Sequence, residues 1–250
     1  MAYSDRTYAR PYLNVPGLPP AIKWLIIINV AVFLLGSLTP LGPVLERYFA
    51  LTPSDVVTQF FIWQLASYLF LHQGVLHILF NMLALWMFGS DLETSWGTRR
   101  FLRYYFFTGI GAGFCVVVLN YFVGNPNLPT IGASGAIYGI LMAWAVLWPD
   151  RIILFSFLFP MKVKYFVMIF GAIELLNSFN VNSGVSSFAH LGGMAFGYVF
   201  LKMPRRRGRG VDPVESLRNS YNAWKLARAK RKFQVYLRKK EGPGKGPWVN

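Results

Sequence analysis

The polar residues inside otherwise apolar segments of this 250-residue chain include His77, Asn81, Ser134 and His190. Polar side chains are costly in such surroundings, so each of them marks a candidate functional site. A serine and a histidine together could perform acyl transfer, because an imidazole that accepts the hydroxyl proton makes serine nucleophilic. The oxyanion that then develops needs fixed hydrogen-bond donors, for which His77, Asn81 and the backbone N–H of Ser134 are candidates.

Each of these residues also has a structural interpretation when it is taken alone. A serine in a membrane helix usually bonds to a backbone carbonyl of its own helix, and His190 could be a histidine satisfied within a helical bundle. His77 and Asn81 are spaced i, i+4 on one helix face, and such a pair can hold two helices together. The catalytic interpretation therefore depends on the elements that would bring the four side chains to one place.

The composition indicates that those elements are membrane helices. Hydrophobic residues make up 54% of the chain and charged residues only 14%, which is too little charge for the surface of a soluble domain. A membrane span needs about 20 mostly apolar residues. The sequence predicts six apolar segments, at roughly 21–38, 75–90, 101–122, 133–148, 162–180 and 187–203. No small-x-small cleavage site follows the first segment, so we interpret it as a retained span and not as a signal peptide.

The charges between the apolar segments predict their orientation. Positive residues cluster in the connections after the second and fourth segments and in the tail, whereas the connections 123–132 and 181–187 carry no charge. By the positive-inside rule, both termini face the cytoplasm. The long connection 39–74 is too broken to span a membrane, and its aromatic residues suit an interfacial or re-entrant element.

This topology places the four polar residues at one depth. With the N-terminus inside, the even-numbered segments all run inward from the outer face, and each of the four residues falls within the first turn or two of such a segment. At about 1.5 Å of rise per residue, they lie about 3–10 Å below the outer boundary. We therefore expect the side chains of His77, Asn81, Ser134 and His190 to converge.

Glycines favour a close approach of the fourth and sixth segments, which a hydrogen bond between Ser134 and His190 requires. Small residues let membrane helices approach one another closely. The supporting glycines are Gly132 and Gly135 beside the serine, and Gly192, Gly193 and Gly197 in the sixth segment.

The sequence offers no third catalytic residue. Aspartate and glutamate are almost missing from the apolar segments, and we expect none at this depth near His190. The prediction is therefore a Ser134–His190 dyad whose histidine is oriented by packing, with the Tyr138 ring, one helical turn from Ser134 on the same face, stacked on it. Ser134 is not in the G-x-S-x-G elbow of soluble hydrolases, because residue 136 is alanine. We expect no metal and no cofactor, and Cys115, the only cysteine, is interpreted as a small buried hydrophobe.

Three stretches of the chain resemble the signature blocks of the rhomboid intramembrane serine proteases. They are HILFN at 77–81, GASGAIYG at 132–139 and AHLGGMAFG at 189–197. Their order, their spacing and the six-segment layout over roughly residues 20–203 are similar to the bacterial six-transmembrane type. The resemblance implies an all-α polytopic membrane protein, a six-helix rhomboid-like bundle with a long loop between the first two helices.

The resemblance also implies roles for individual residues. Ser134 would be the nucleophile and His190 the general base, with His77 and Asn81 stabilising the oxyanion and Tyr138 packed on the histidine. Substrates would be transmembrane segments of membrane proteins with an unstable helical stretch near the outer face. One departure is that rhomboids often carry Trp-Arg in the long loop, where this chain has Trp63 and Gln64.

We expect three regions: a cytoplasmic N-terminal segment at 1–20, the transmembrane catalytic domain at 21–203, and a basic cytoplasmic tail at 204–250. The tail carries much of the chain's net charge of +15 and interleaves aromatic and aliphatic residues with Lys and Arg. We interpret it as a partly helical segment on anionic lipid headgroups. Nucleic-acid binding is not expected, since a membrane tether already accounts for the charge. The apolar and aromatic residues of the tail are Tyr221, Trp224, Leu226, Phe233 and Tyr236.

Two other functions remain open. A non-catalytic rhomboid-like protein would bind membrane helices for quality control or trafficking, although such relatives typically lose the serine or the histidine. A transporter or channel would show internal repeats and charged residues along a path, which we do not find apart from Glu174. Glu174 and Asn177 of the fifth segment could hydrogen-bond to neighbouring segments or line a water route to the site, and we favour the structural role. We treat His72 as interfacial, and we expect a multi-pass protein of a bacterial inner (plasma) membrane.

Overall fold

The computed structural model describes residues 17–155, 159–179, 184–203 and 221–231. Up to residue 203, these ranges are mostly helical. The helices are α1 Pro20–Leu38, α2 Gly42–Phe49, α3 Pro53–Thr58, α4 Gln64–Ser67, α5 Val75–Ala84, α6 Ser90–Trp96, α7 Thr98–Phe122, α8 Ser134–Leu147, α9 Val163–Ser178 and α10 Gly184–Lys202. A 3₁₀ turn occupies Tyr68–Phe70, and a π-helical turn, Leu85–Gly89, joins α5 to α6.

Each of the six apolar segments predicted from the sequence contains a helix in the structure. Three helical stretches, Pro20–Leu38, Val75–Trp96 and Thr98–Phe122, are long and apolar enough to cross a membrane, and Ser134–Leu147 is a shorter apolar helix. Large apolar side chains point outward from these helices, among them Phe80 at 64% exposure and Phe114 at 54%. Such a surface suits contact with lipid. That all six segments cross the bilayer stays a prediction.

The second helical stretch continues past residue 90, where the predicted segment ended, and it includes Asp91 and Glu93. The Glu93 side chain is buried, and its two carboxylate oxygens accept the N–H groups of Ala21 and Ile22 at 2.9 and 3.0 Å. These N–H groups lie in the first turn of α1, where a helix lacks internal partners and attracts negative charge. Glu93 thus caps α1 from another helix, which is why a carboxylate is tolerated there.

Short helices build the connection between α1 and α5. The Trp63 indole N–H donates to the Tyr48 carbonyl at 2.9 Å, and the fully buried Gln64 accepts the N–H of Thr52 at 3.0 Å. Arg47 and Asp55 form an ion pair in the same region. The glutamine that departs from the family's usual arginine therefore holds the folded loop through its side-chain amide.

A short antiparallel hairpin, which the sequence did not lead us to expect, lies in the connection between α8 and α9. Strand β1, Ile152–Phe155, pairs with β2, Phe159–Lys162, and Ile152 is opposite Lys162. Next to it, Asp150 accepts from Lys162 at 3.2 Å and from Lys164 at 2.9 Å. The paired lysines hold the pKa of the exposed Asp150 carboxyl below its ordinary value.

Helices α7, α8 and α10 pack on one another at the centre of the bundle. Two buried tyrosines join them to neighbouring backbone: the Tyr104 hydroxyl donates to the Gly139 carbonyl at 2.5 Å, and the Tyr68 hydroxyl donates to the Gly109 carbonyl at 2.7 Å. A buried polar group left without a partner destabilises a fold. These bonds therefore fix how the helices that carry the polar residues are placed.

The chain divides into two compact units, Met1–Met203 and Pro204–Asn250. In the second unit the described part, residues 221–231, is helical and its side chains are exposed. Arg228 lies 5.3 Å from the centre of the Trp224 ring, within the range of a cation–π contact. Phe233 and Tyr236, which we included in the predicted lipid-binding segment, lie outside the described residues.

Candidate active site

Ser134 is the first residue of α8, directly after a tight turn at Gly132. Gly132 has a φ of +115°, a conformation that favours glycine. The first backbone bond into the helix runs from the Ile137 N–H to the Ala133 carbonyl at 3.1 Å. The N–H groups of the residues before Ile137, including that of Ser134, thus lie at the positive end of the helix, without internal partners.

The Ser134 hydroxyl lies in hydrogen-bond contact with His190. Its Oγ atom is 2.8 Å from Nε2 of the histidine, although the two residues are 56 positions apart in sequence. Both side chains are partly buried. This is the separation that proton transfer from a serine nucleophile to a general base requires.

Close contact between the backbones of α8 and α10 makes this short distance possible. A Cβ atom on Gly193 of α10 would overlap the carbonyl oxygen of Gly135 in α8. One turn on, a Cβ atom on Gly197 would lie 3.1 Å from the carbonyl oxygen of Gly139 and 2.6 Å from the Tyr104 hydroxyl. Glycine is therefore required at both positions of α10, and the two helices meet where Ser134 begins α8.

The Tyr138 ring stacks on the His190 imidazole. The ring centres are 4.1 Å apart and the ring planes differ by only 9°. Tyr138 lies one turn after Ser134 in α8, so the same helix that holds Ser134 also limits rotation of the His190 ring.

Glu174 of α9 lies on the other side of the histidine. Its Oε1 atom is 2.9 Å from Nδ1 of His190, an ion-pair distance, although the direction of approach falls outside hydrogen-bond geometry. The same oxygen accepts the Tyr138 hydroxyl at 2.8 Å. The expectation that no carboxylate lies near His190 is therefore wrong, because α9 brings one to the ring nitrogen that faces away from Ser134.

A signal for Glu174 was present in the sequence. In the predicted topology, an odd-numbered segment ends at the outer face, where the even-numbered segments begin. Glu174 lies one turn before the end of α9, and therefore at the level where the even segments begin. Asn177, which we paired with Glu174 in a structural role, is exposed and is not part of this cluster.

His77 of α5 lies beside the turn that precedes Ser134. A Cβ atom on Gly132 would come within 2.8 Å of Nε2 of His77, so the imidazole fills the space that the glycine leaves. The backbone N–H of Gln73 donates to Nδ1 of His77 at 3.4 Å. In a neutral imidazole one nitrogen accepts and the other donates, and this contact therefore assigns the N–H to Nε2, which faces the turn.

Asn81 makes a hydrogen bond within its own helix, unlike His77, with which it was predicted to act. Its amide nitrogen donates to the His77 carbonyl at 2.8 Å, one turn back in the same helix, while its carbonyl oxygen is buried without a partner. The amide thus lies near the site but bonds to its own helix. Within the described ranges, no group of three or more His, Cys, Asp or Glu side chains is placed to hold a metal ion.

His72 precedes α5 and packs against the active-site cluster from the outside. Its ring meets that of His77 edge-on at 5.0 Å between centres, and both of its nitrogens are buried without a hydrogen-bond partner. Burial is the main reason why the pKa of His72 falls to about 4, and the nearby His77 lowers it further. The ring is therefore neutral at ordinary pH, and it is more enclosed than the interfacial position we expected.

Comparison with known protein families gives a match that covers more than half of the chain. The family model for the Rhomboid domain matches residues 59–207. This range includes α5, α8, α9 and α10, and so all the residues of the cluster around Ser134.

Individual relatives agree with this match. Rhomboid protein 1, mitochondrial, of Saccharomyces cerevisiae is 32% identical over 69% of this chain and 50% of its own length. In Bacillus subtilis, the putative rhomboid protease YdcA is 27% identical over 77% of this chain and 93% of its own length. Rhomboid protease GluP of the same organism is 33% identical over 60% of this chain and 27% of its own length. The chain spans about half the length of several of the curated relatives it matches.

Proposed function

Because the chain belongs to the rhomboid family and is a multi-pass membrane protein, we propose that it is an intramembrane serine endopeptidase. The observation that carries the proposal is the 2.8 Å contact between Ser134 Oγ and His190 Nε2 within a bundle of apolar helices. Two relatives in Bacillus subtilis are named as rhomboid proteases, which supports the reaction class.

The reaction begins with attack on the scissile carbonyl by Ser134. Nε2 of His190 takes the hydroxyl proton as Oγ bonds to the carbonyl carbon, and the carbonyl oxygen becomes an oxyanion. The stacked Tyr138 ring keeps the imidazole directed at Oγ. The tetrahedral intermediate then collapses, the protonated histidine donates its proton to the leaving amine, and an acyl-enzyme on Ser134 remains.

Two kinds of donor support the oxyanion hypothesis. The backbone N–H of Ser134 lies at the positive end of α8, where negative charge is favoured. Nε2–H of His77 faces the same turn from α5. Asn81 is the weaker candidate, since its amide already bonds to the His77 carbonyl. Water activated by His190 then hydrolyses the acyl-enzyme and restores the free serine.

The substrates we propose are transmembrane segments of other membrane proteins, cleaved near the outer face. Ser134 is the first residue of its helix, so the orientation of α8 sets the depth of cleavage. A segment whose helix is locally unstable can expose a backbone carbonyl to the serine, whereas an intact helix uses its carbonyls internally. Both termini would lie in the cytoplasm of a bacterial cell, with residues 21–203 as the catalytic domain in its inner membrane.

The basic tail at 204–250 is proposed to lie on anionic lipid headgroups. Its described helix, residues 221–231, exposes aromatic and basic side chains together, with Arg228 over the Trp224 ring. This combination favours a membrane interface, where the ring lies at headgroup level and the cation meets lipid phosphate.

The test uses the full-length protein in detergent and in proteoliposomes, with a labelled single-span substrate and a fluorophosphonate probe. We expect the wild type to cleave the substrate and to be labelled at Ser134. Ser134→Ala should bind the substrate without cleaving it and should not be labelled. Ser90→Ala is the matched control, because Ser90 is a buried serine whose hydroxyl has no hydrogen-bond partner, and it should keep both activities.

Persistent cleavage by Ser134→Ala would show that another group is the nucleophile. A wild-type protein that binds membrane helices, cleaves none and is not labelled would instead be the non-catalytic rhomboid-like binder. Either result would overturn the proposed function.

A further inference from the structure

The Glu174 carboxylate lies next to the Tyr138 hydroxyl, the His190 ring and Ser187. Oε1 accepts the Tyr138 hydroxyl at 2.8 Å and lies 2.9 Å from Nδ1 of His190, and the buried Ser187 of α10 is close to the carboxylate. The Glu174 and His190 side chains are 12% and 15% exposed. An acidic residue in a membrane helix is costly unless donors surround it, and here donors from two other helices do so.

From this geometry we propose that Glu174 is a positioning residue for His190, so that the site works as a Ser134–His190–Glu174 triad. The inference rests on the proposed serine protease function, and it replaces the two-residue site that the sequence predicts. Glu174 does not touch the reacting atoms in this assignment. It acts through the histidine.

The carboxylate assigns the tautomer of the imidazole. Since the groups around Oε1 are donors, the oxygen acts as an acceptor, and the nitrogen that faces it, Nδ1, carries the ring proton. Nε2 is then left with a lone pair directed at the Ser134 hydroxyl 2.8 Å away. This is the tautomer that a general base needs, and the negative charge also stabilises the imidazolium formed when the serine gives up its proton.

A purely structural role for Glu174 makes different predictions from a positioning role. If Glu174 only stabilises the packing of α9 against its neighbours, its effect depends on the shape and the hydrogen bonding of its side chain. Glu174→Gln keeps both the length of the side chain and an oxygen that can accept from Tyr138, whereas Glu174→Asp keeps the charge and shortens the side chain by one methylene. If Glu174 acts through packing alone, Glu174→Gln should keep more activity than Glu174→Asp. If its charge positions His190, Glu174→Asp should keep more activity than Glu174→Gln.

The experiment measures kcat, KM and the pH profile of cleavage for full-length wild type, Glu174→Gln and Glu174→Asp, together with their thermal unfolding. We expect Glu174→Gln to lower kcat about 100-fold with little change in KM, at the lower end of what general acid–base catalysis contributes. Glu174→Asp should recover part of this loss. Asn177→Ala is the matched control, since Asn177 is an exposed polar residue of the same helix, and it should behave as wild type.

The pH profile gives a second readout. Without the carboxylate, the imidazolium formed during the reaction loses its anionic partner, so the pH profile of kcat/KM should differ between Glu174→Gln and the wild type, whereas a purely structural role would leave its shape unchanged. The other titratable groups that face the pair are Tyr138 of α8 and His77 of α5, and both are unchanged in this variant. The rate of fluorophosphonate labelling at Ser134 should fall with kcat, because the probe reports serine activation without a substrate.

The outcomes separate this inference from the proposed function. A wild type without Ser134-dependent cleavage or labelling would overturn both. A wild type that cleaves through Ser134, while Glu174→Gln keeps its kcat and pH profile or outperforms Glu174→Asp, would overturn the triad alone. A lowered unfolding temperature would reveal a Glu174→Gln variant that is inactive because it fails to fold. In that case Glu174→Asp decides, and a folded Glu174→Asp that is equally inactive would count against positioning by charge.

Discussion

Gly193 of α10 lies directly against the backbone carbonyl of Gly135 in α8, so closely that a Cβ atom at residue 193 would overlap the oxygen. The contact lies close to both members of the candidate catalytic pair, since Gly135 directly follows Ser134 and Gly193 follows His190 by three residues, about one helical turn. The separation of the two helix backbones therefore sets the distance between Ser134 and His190.

Gly193→Ala should weaken the fold and the catalytic contact together. The methyl group has backbone on its far side and no flexible side chain to displace, so α8 and α10 must move apart. We expect a loss of about 2 kcal/mol in the free energy of unfolding, within the usual cost of overpacking a core, and strongly reduced cleavage. Unfolding in detergent and the rate of fluorophosphonate labelling measure the two effects.

Gly36→Ala is the matched control for that variant. Gly36 is a glycine of α1 at which a Cβ atom would meet only Leu45 and Gly42, at 3.7 and 3.8 Å. Alanine is the better helix former by about 1 kcal/mol, so this variant should be as stable as the wild type or more so. An equal loss of stability and cleavage in Gly36→Ala and Gly193→Ala would contradict the explanation by close backbone contact.

His77→Ala should lower kcat more than Asn81→Ala does. The donor on Nε2 of His77 faces the turn before Ser134, whereas the Asn81 amide donates to the His77 carbonyl. Removing one oxyanion donor typically costs about 10²- to 10³-fold in kcat, and we expect a loss of this size with little change in KM for His77→Ala. Steady-state kinetics on both variants test the ranking, and a larger effect at Asn81 would reverse the assignment.

Glu93→Gln should destabilise the helical bundle without changing any contact of Ser134 or His190. Both carboxylate oxygens of Glu93 accept backbone N–H groups of α1, and one also accepts the Thr98 hydroxyl at 2.6 Å. A glutamine amide turns an NH₂ group toward one of those N–H groups and removes the charge, so we expect a loss of about 2 kcal/mol, typical of a hydrogen bond to a charged group.

Denaturant unfolding in detergent measures this change. The exposed Glu46→Gln is the control, and its effect should stay within about 0.5 kcal/mol. Equal stability of the two variants would argue against the capping role of Glu93.

The pH dependence of stability should contain a contribution from His72. Its folded-state pKa of about 4 lies below the ordinary value of 6.5, so the folded protein binds fewer protons than the unfolded chain in this window. Stability therefore falls as the pH drops from 6.5 toward 4, by at most about 3 kcal/mol from this group. His72→Phe keeps a ring against His77 without a titrating group, and it should flatten the slope over that range. If the stability of the wild type and of His72→Phe changed equally with pH from pH 4 to pH 7, this assignment would be contradicted.

Much of the fold was predictable because it depends on local properties of the chain. Apolar segments of sufficient length predicted helices whose boundaries lie within a few residues of the observed ones, with the largest difference at the end of the second segment. There the helix continues through Asp91 and Glu93, and the contact of Glu93 with the first turn of α1 explains why a buried carboxylate is tolerated. A charge satisfied by a distant part of the chain cannot be distinguished in sequence from a charge exposed to water.

The depth of the polar residues was also a property of sequence, because the direction of each segment and the rise per residue fix it. The sequence by itself thus determined the family, through the signature blocks, and it predicted that Ser134, His190, His77 and Asn81 lie near one membrane level. Only the tertiary structure decided which of them touch, and that Glu174 joins them on the far side of the histidine. The physical reason is that the sequence of a mostly apolar helix says little about how the helix is rotated about its own axis. Packing at contacts such as Gly193 on Gly135 sets that rotation, and the rotation decides where each side chain points.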